Sequence, residues 1–120
     1  MEVKRTFDLL ERYNQNYIHK NDALAGKKNG EWILYSAKDY INYANNISYG
    51  LMAMGLKKGD MVATIANNRP EWNLMDMGVS QAGIIHVPIY PTISKEDYEY
   101  ILNHCKPKLV IVSDKILYEK

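Results

Sequence analysis

Three short apolar runs, separated by capped amphipathic stretches, constrain this chain more than any other feature of its sequence. They are Met61-Val62-Ala63-Thr64-Ile65-Ala66, Ile84-Ile85-His86-Val87 and Leu109-Val110-Ile111-Val112. Apolar runs of this length without alternation suit strands covered on both faces, the pattern of parallel strands. Between the first two runs the spacing predicts a helix over 70–81. Asn68-Arg69-Pro70-Glu71 supplies an Asn cap, a first-turn Pro and a Glu at the capping-box position. Trp72, Met75, Val79 and Met77 then turn inward. Between the second and third runs, Ser94-Lys95-Glu96-Asp97 caps a helix carrying Tyr98, Ile101, Leu102 and Cys105 at helical spacing, and Pro107 stops it. Pro88 and Pro91 close the second strand, and Asp114 begins a further helix. Strand, helix, strand, helix, strand with short connections implies right-handed crossovers and a parallel sheet.

The first half of the chain leads into that unit. Val3, Phe7, Leu10, Tyr13 and Tyr17 form one stripe of a helix over 3–17. Residues 22–27 and 31–35 flank Lys28-Asn29-Gly30, and Asn-Gly supplies the two positive-φ positions of a tight hairpin. Ser36, with Asp39 three residues later, opens a helix whose face holds Tyr40, Ile41, Ala44, Ile47, Leu51 and Met52. Gly55 ends it in the left-handed conformation, which lets Leu56 fold back on Leu51. Three strands are few for a parallel sheet. The expected fold class is therefore α/β: a small β-hairpin plus a partial three-stranded parallel sheet with flanking helices, forming the N-terminal part of a larger domain.

Composition excludes several functions. Hydrophobic content of 47% with 24% charged residues belongs to an ordinary globular protein and not a disordered one. A formal net charge of +1 creates no field for nucleic acid or an anionic membrane. A single cysteine, Cys105, closes no internal disulfide and makes no thiolate zinc site. The apolar stretch over 82–91 is broken by His86 and is half the length of a membrane span, and the first residues lack the apolar block of a secretory signal. A cytoplasmic protein is expected.

Ligands of an open parallel sheet gather at the carboxyl ends of its strands. Here those ends are Asn67-Asn68-Arg69, Tyr90-Pro91-Thr92 and Ser113-Asp114-Lys115. A helix N-terminus beside Arg69 suggests an anion site, but capping by Asn68 and Glu71 uses the same amides, so a cap with Arg69 solvated is the favoured reading. His86, between Ile85 and Val87, reads as a satisfied core histidine, since no acid or cysteine is close in sequence. His104 and Cys105 are adjacent on a helix and point apart, so they make no metal pair, and Cys105 falls on the apolar stripe. His19 reads as a surface residue. Tyrosines such as Tyr40 and Tyr98 read as amphipathic packing, since basic residues are not interleaved with them. No dinucleotide fingerprint, phosphate loop, nucleophile elbow or zinc helix is present in the chain.

From residue 30 to 114 the chain resembles the opening of the AMP-forming acyl- and aryl-CoA synthetases, the adenylate-forming or AMP-binding family. The resemblance is carried by Trp32-Ile33-Leu34-Tyr35-Ser36 with Asp39-Tyr40, and by Gly55-Leu56-Lys57-Lys58-Gly59-Asp60 with Val62. It continues in Asn68-Arg69-Pro70-Glu71-Trp72, Gln81-Ala82-Gly83-Ile84-Ile85 and Val87-Pro88-Ile89-Tyr90-Pro91-Thr92. The last stretch is most similar to the long-chain fatty acid branch. The resemblance implies that residues 1–120 are a fragment of the large N-terminal domain of such an enzyme, with its C-terminal lobe absent. It implies a parent ligase that joins a fatty acid to CoA through an acyl-adenylate, using ATP and Mg, with pyrophosphate and AMP released. The family's phosphate loop, adenine and ribose motifs and late catalytic lysine would lie after Lys120. No catalytic, cofactor-binding or metal-binding residue is therefore carried over, and the chain alone is expected to be inactive and to hold neither ATP, CoA nor Mg tightly. Self-association through exposed surface is expected of such a fragment. Peripheral membrane contact would suit an enzyme of fatty acids, although no basic amphipathic helix supports it. The alternative is a stand-alone, non-catalytic α/β binding or interaction module that retains the ligase scaffold.

Overall fold

The computed structural model describes residues 2–114, and the helix expected from Asp114 onward lies outside them, as does Lys115. The order is α1 (Asp8–Asn16), β1 (Leu24–Lys28), β2 (Glu31–Tyr35), α2 (Ala37–Ala53), β3 (Met61–Ile65), α3 (Pro70–Gln81), β4 (Ile85–Ile89), α4 (Lys95–Cys105) and β5 (Leu109–Val112). Strands β1 and β2 form an antiparallel hairpin, and β4-β3-β5 form a parallel sheet in that order. The α/β class, the hairpin and the three-stranded parallel sheet agree with the sequence reading.

Local chemistry explains most boundaries. Asn29 and Gly30 both take positive φ, 53° and 80°, and close the hairpin. The Ser36 hydroxyl accepts from the Asp39 amide while the Asp39 carboxylate accepts from the Ser36 amide, a complete capping box. Gly55, at φ 89°, ends α2, and the Leu56 amide reaches back to the Leu51 carbonyl. The Ser94 hydroxyl caps α4 through the Asp97 amide.

Four details differ from the sequence reading. Helix α1 starts at Asp8, because the Asp8 carboxylate accepts from the Lys4 and Arg5 amides and from the Arg5 guanidinium, holding the preceding residues in a turn. Met52 is 58% exposed, and Ser48 takes the inward place instead. Strand β4 runs through Pro88 to Ile89. A proline is tolerated there because β4 lies at the sheet edge. In α3 the buried residues are Leu74, Met77, Gly78 and Val79, while Trp72 and Met75 are half-buried.

That last difference has a packing cause. Helix α3 is covered on two sides. Leu74 and Met77 join Leu10, Tyr40 and Ala44 in a cluster shared with α1 and α2. Val79 faces the sheet with Leu51, Val62 and Ile84. The opposite sheet face, Ala63, Ile65 and Ile89, is covered by Tyr98, Ile101 and Leu102 of α4. The sheet is thus wound on both faces, α3 on one and α4 on the other.

The crossing of α2 over α3 is close. The Ser48 hydroxyl donates to the Gly78 carbonyl at 2.6 Å and accepts from Gln81 Nε2 at 3.0 Å. A Cβ on Gly78 would lie 2.6 Å from Ile47 Cγ2, 2.7 Å from Ile47 Cβ and 3.0 Å from the Ala44 carbonyl oxygen. Gly78→Ala should therefore destabilise the fold by about 1–3 kcal/mol, the usual penalty of overpacking, despite alanine's better helix propensity. A lower urea midpoint would confirm this; an unchanged or raised midpoint would show that the crossing can open without strain.

Candidate functional site

The first crossover runs from β3 to β4 through α3, and the second runs from β4 through α4 past β3 to β5, so β3 is central and a crevice opens at its carboxyl end. A cleft of about 510 Å³ lies on the β4 side, bordered by Ala66, Asn68, Arg69, Trp72, Pro88 and Tyr90. A smaller hollow of about 170 Å³ lies on the β5 side, bordered by Thr64, Met75, Ile111 and Ser113. Trp72, from the first turn of α3, borders both. Two of the three strand ends named from the sequence, Asn68-Arg69 and Tyr90-Pro91, meet at the larger space, and Ser113 borders the smaller.

The start of α3 is not capped as expected. The cap residue is Arg69, with no side-chain cap, and Pro70 takes the first helical position. The Asn68 side chain does not cap, and Arg69 is not merely solvated. Its guanidinium donates to both oxygens of Glu71 at 3.1 Å, and Nη1 reaches the Ser113 carbonyl at 3.4 Å. The Tyr35 hydroxyl of the hairpin donates to Glu71 Oε1 at 3.2 Å. Asn67 extends the cluster, its amide N–H donating to Ser113 Oγ and its side chain to Asp114. Arginine outcompetes asparagine here because a charge-assisted fork to a carboxylate is stronger than a neutral cap. Hydrogen bonding from Arg69 holds the Glu71 carboxyl below its usual range, and Glu71 in turn raises Arg69. Burial, then the Glu71 charge, pushes the Tyr35 hydroxyl up. The hairpin is seated against the same place: a Cβ on Gly26 would stand 2.8 Å from the Pro70 ring.

Beneath Trp72 lies a hydrogen-bonded chain that local sequence does not announce. His86 Nδ1 is 2.7 Å from Asp76 Oδ1, and Nε2 is 2.7 Å from Thr64 Oγ1. The imidazole is 5% exposed, and its ring centroid lies 5.3 Å from that of Trp72 at a tilt of 47°. With Asp76 ionised, Nδ1 carries a proton toward it, and in the neutral ring Nε2 then accepts from the Thr64 hydroxyl. His86 is thus a satisfied core residue, as expected, but its satisfaction comes from an acid ten residues upstream on α3. The signal available in sequence was helical spacing: Asp76 stands four residues after Trp72, on the same face.

The remaining candidates stay apart. His104 stacks on Tyr100 with centroids 6.0 Å apart, Cys105 is half-buried at the end of α4, and His19 is exposed. Tyr40 and Tyr98 are core residues, as read from the sequence; burial first, with the Tyr13 and Asp76 charges, pushes the Tyr40 hydroxyl up to about 12. Among the described residues no cluster of three or more His, Cys, Asp or Glu could hold a metal ion. Two features of the crevice bear on how it could meet an anion. Its guanidinium is already paired with Glu71, and the first residue of α3 is a proline without an N–H.

The family model of the AMP-binding enzymes matches residues 10–120. Fatty acyl-CoA synthetase A of Dictyostelium discoideum is 32% identical over 117 residues, covering 92% of this chain and 18% of that protein. A long-chain-fatty-acid–CoA ligase of Gallus gallus is 32% identical over 92 residues, covering 77% of this chain and 12% of its own length. The chain thus spans less than a fifth of the length of either of these two relatives. Among solved structures, a fatty acid AMP ligase from Legionella pneumophila superposes with a TM-score of 0.82 at 20% identity, over 92% of this chain and 20% of that one. That likeness establishes the fold.

The Arg69–Glu71 pair makes a pH-dependent contribution whose sign is fixed. A carboxyl held lower in the folded chain stabilises it above the ordinary value of 4.5, and that stabilisation is lost as pH falls through the folded value. Both side chains are about two-fifths exposed, so the contribution at neutral pH should stay under about 1 kcal/mol. Glu71→Gln should lower the neutral urea midpoint slightly and should flatten its fall on acidification. An acid limb as steep as that of the parent chain would show that the pair is not the group being titrated.

Proposed function

This chain belongs to the AMP-binding enzyme family, and we propose that it is the N-terminal portion of an AMP-forming long-chain fatty acid–CoA ligase, a fragment of that enzyme's large N-terminal domain. The carrying observation is the 32% identity to a fatty acyl-CoA synthetase across 92% of this chain. The quoted motifs from Trp32 to Thr92 point the same way. In this reading the parent enzyme takes a fatty acid, ATP and CoA, with Mg, and works in the cytoplasm, with peripheral contact to the membranes that hold its substrate. No helix among the described residues is long and apolar enough to cross a membrane.

The part this chain plays follows from its own residues. Acyl-adenylate chemistry needs cations and amide donors free to meet charge as it develops on phosphate. Arg69 is engaged by Glu71 and the Ser113 carbonyl, and His86 by Asp76 and Thr64. In this reading the chain supplies a rigid wall whose Arg69 and His86 are already engaged, and it is inactive alone. The expected result for the 120-residue chain, given a long-chain fatty acid, Mg-ATP and CoA, is no AMP or thioester above the enzyme-free blank. Turnover that survives purification to homogeneity would overturn this. The ligase reading itself is tested by the natural reading frame beyond codon 120, which should continue through a Ser/Thr/Gly-rich loop to a late lysine. A stop codon there would overturn it.

The alternative of a stand-alone binding module has one observation in its favour: among the described residues every buried side-chain polar atom has a hydrogen-bond partner. Against it stand Trp32, Leu34, Ile85 and Val110, apolar and 40–67% exposed, with Ile85 and Val110 on the sheet itself. Equilibrium sedimentation separates the two. A fragment should associate as concentration rises, and a module should remain a monomer.

A further inference from the structure

Trp72 is the largest side chain that borders both the 510 Å³ cleft and the 170 Å³ hollow. The other shared borders are Ala66, which is small, and Arg69, which is tied to Glu71 and the Ser113 carbonyl. The larger cleft has the size of a small-molecule site. Its walls are mainly apolar, with Ala66, Pro88, Ile89, Tyr90 and Pro91, and the neutral amides of Asn68 and Asn73 complete them. With its guanidinium paired, it offers an anion no free cation among the described residues, so the group its mainly apolar walls suit is neutral and largely apolar.

Trp72 is itself held from below. His86 sits under it with its ring plane pinned at both nitrogens, by Asp76 one helical turn along α3 and by Thr64 on the central strand. Two hydrogen bonds on opposite sides of an imidazole leave it no rotation, so the surface it presents to Trp72 is fixed.

We propose that Trp72 sets the length of neutral apolar group the cleft accepts, and that His86, fixed by Asp76 and Thr64, is the positioning residue that keeps Trp72 in that place. The assignment is independent of the ligase reading, since it concerns binding to this chain and needs no nucleotide or thiol.

The test uses straight-chain primary alcohols of increasing length as probes of the 120-residue chain. Trp32→Phe leaves Trp72 as the one tryptophan. In that background, alcohols should perturb Trp72 emission, with affinity rising about fourfold per methylene until a ceiling is reached. Displacement of the neutral dye N-phenyl-1-naphthylamine reads the same series without a tryptophan. By that readout Trp72→Leu should move the ceiling to longer alcohols, because the hollow beside Thr64 joins the cleft. Trp72→Phe should give an intermediate ceiling and keeps the test open if the leucine variant fails to fold. His86→Phe keeps a ring but loses both hydrogen bonds. It should weaken the near-ultraviolet circular dichroism of Trp72 and blur the ceiling, while His86→Gln, whose amide can donate to Asp76 and accept from Thr64, should restore both. A ceiling unchanged in both Trp72 variants would overturn the length assignment, as would alcohol binding that leaves Trp72 emission untouched. A Trp72 signal and ceiling intact in His86→Phe would overturn the positioning role.

Discussion

The fold hangs on one close contact, the crossing of α2 over α3 at Ser48 and Gly78. A hydroxyl bonded to a helix carbonyl at 2.6 Å, with no space for a Cβ beside it, fixes both the distance and the register of the two helices. Gln81 strengthens the register by donating to Asn45 as well as to Ser48. Once α3 is set in this way, everything at its N-terminus is set with it: the hairpin resting on Pro70, the Arg69–Glu71–Tyr35 cluster, and Trp72 at the crevice. Each of these lies within one or two turns of Pro70, so a shift of the crossing would move them together.

Because α3 is pressed between a helical layer and the sheet, it has little surface on which a polar group can go unpaired. Asp76, whose side chain is 34% exposed, meets the buried His86 on one nitrogen, and Thr64 takes its other nitrogen, so the imidazole is satisfied within the sheet. Removing one member leaves its neighbour with an unmet hydrogen bond, a cost of about 1–3 kcal/mol for a buried group. The chain of three thus ties α3 to β4 and β3 more specifically than the surrounding aliphatic contacts, which would accept small slips.

What could be read from the sequence was whatever is decided within a few residues. The Ser36–Asp39 box, the Asn29-Gly30 turn, the Gly55 terminus and the Ser94 cap depend on local geometry, and each stands where the residues placed it. The structure departs from the local pattern where distant groups compete. Asn68 is a good cap in isolation, but Arg69 and Glu71 bind one another and then reach Ser113 and Tyr35, 44 and 36 residues away. Pro88 ends a strand by the usual rule, yet strand order places β4 at the edge, where a missing N–H is tolerated. At the candidate site the strand ends at Asn68-Arg69 and Tyr90 are legible in the sequence, but the sequence carries over no site residue and favours a cap at Asn68 with Arg69 solvated. Trp72 was named only as an inward residue, and the Asp76–His86–Thr64 chain was not found, because its members converge only after the crossover is built.

The same competition accounts for the chemical quietness of the crevice. The carboxyl end of a parallel sheet is where helix N-termini and strand ends concentrate, so it normally draws ligands, anions among them. Here the one arginine is neutralised by an acid two residues along its own chain, the helix begins with a residue lacking an N–H, and the histidine is occupied on both sides. Each arrangement stabilises the scaffold by satisfying a group that would otherwise be free to react. A wall built in this way can be stiff and can present Trp72 and the prolines of the 88–91 segment to an apolar group. In the reading proposed above, charge developing on a phosphate is met by residues outside this wall.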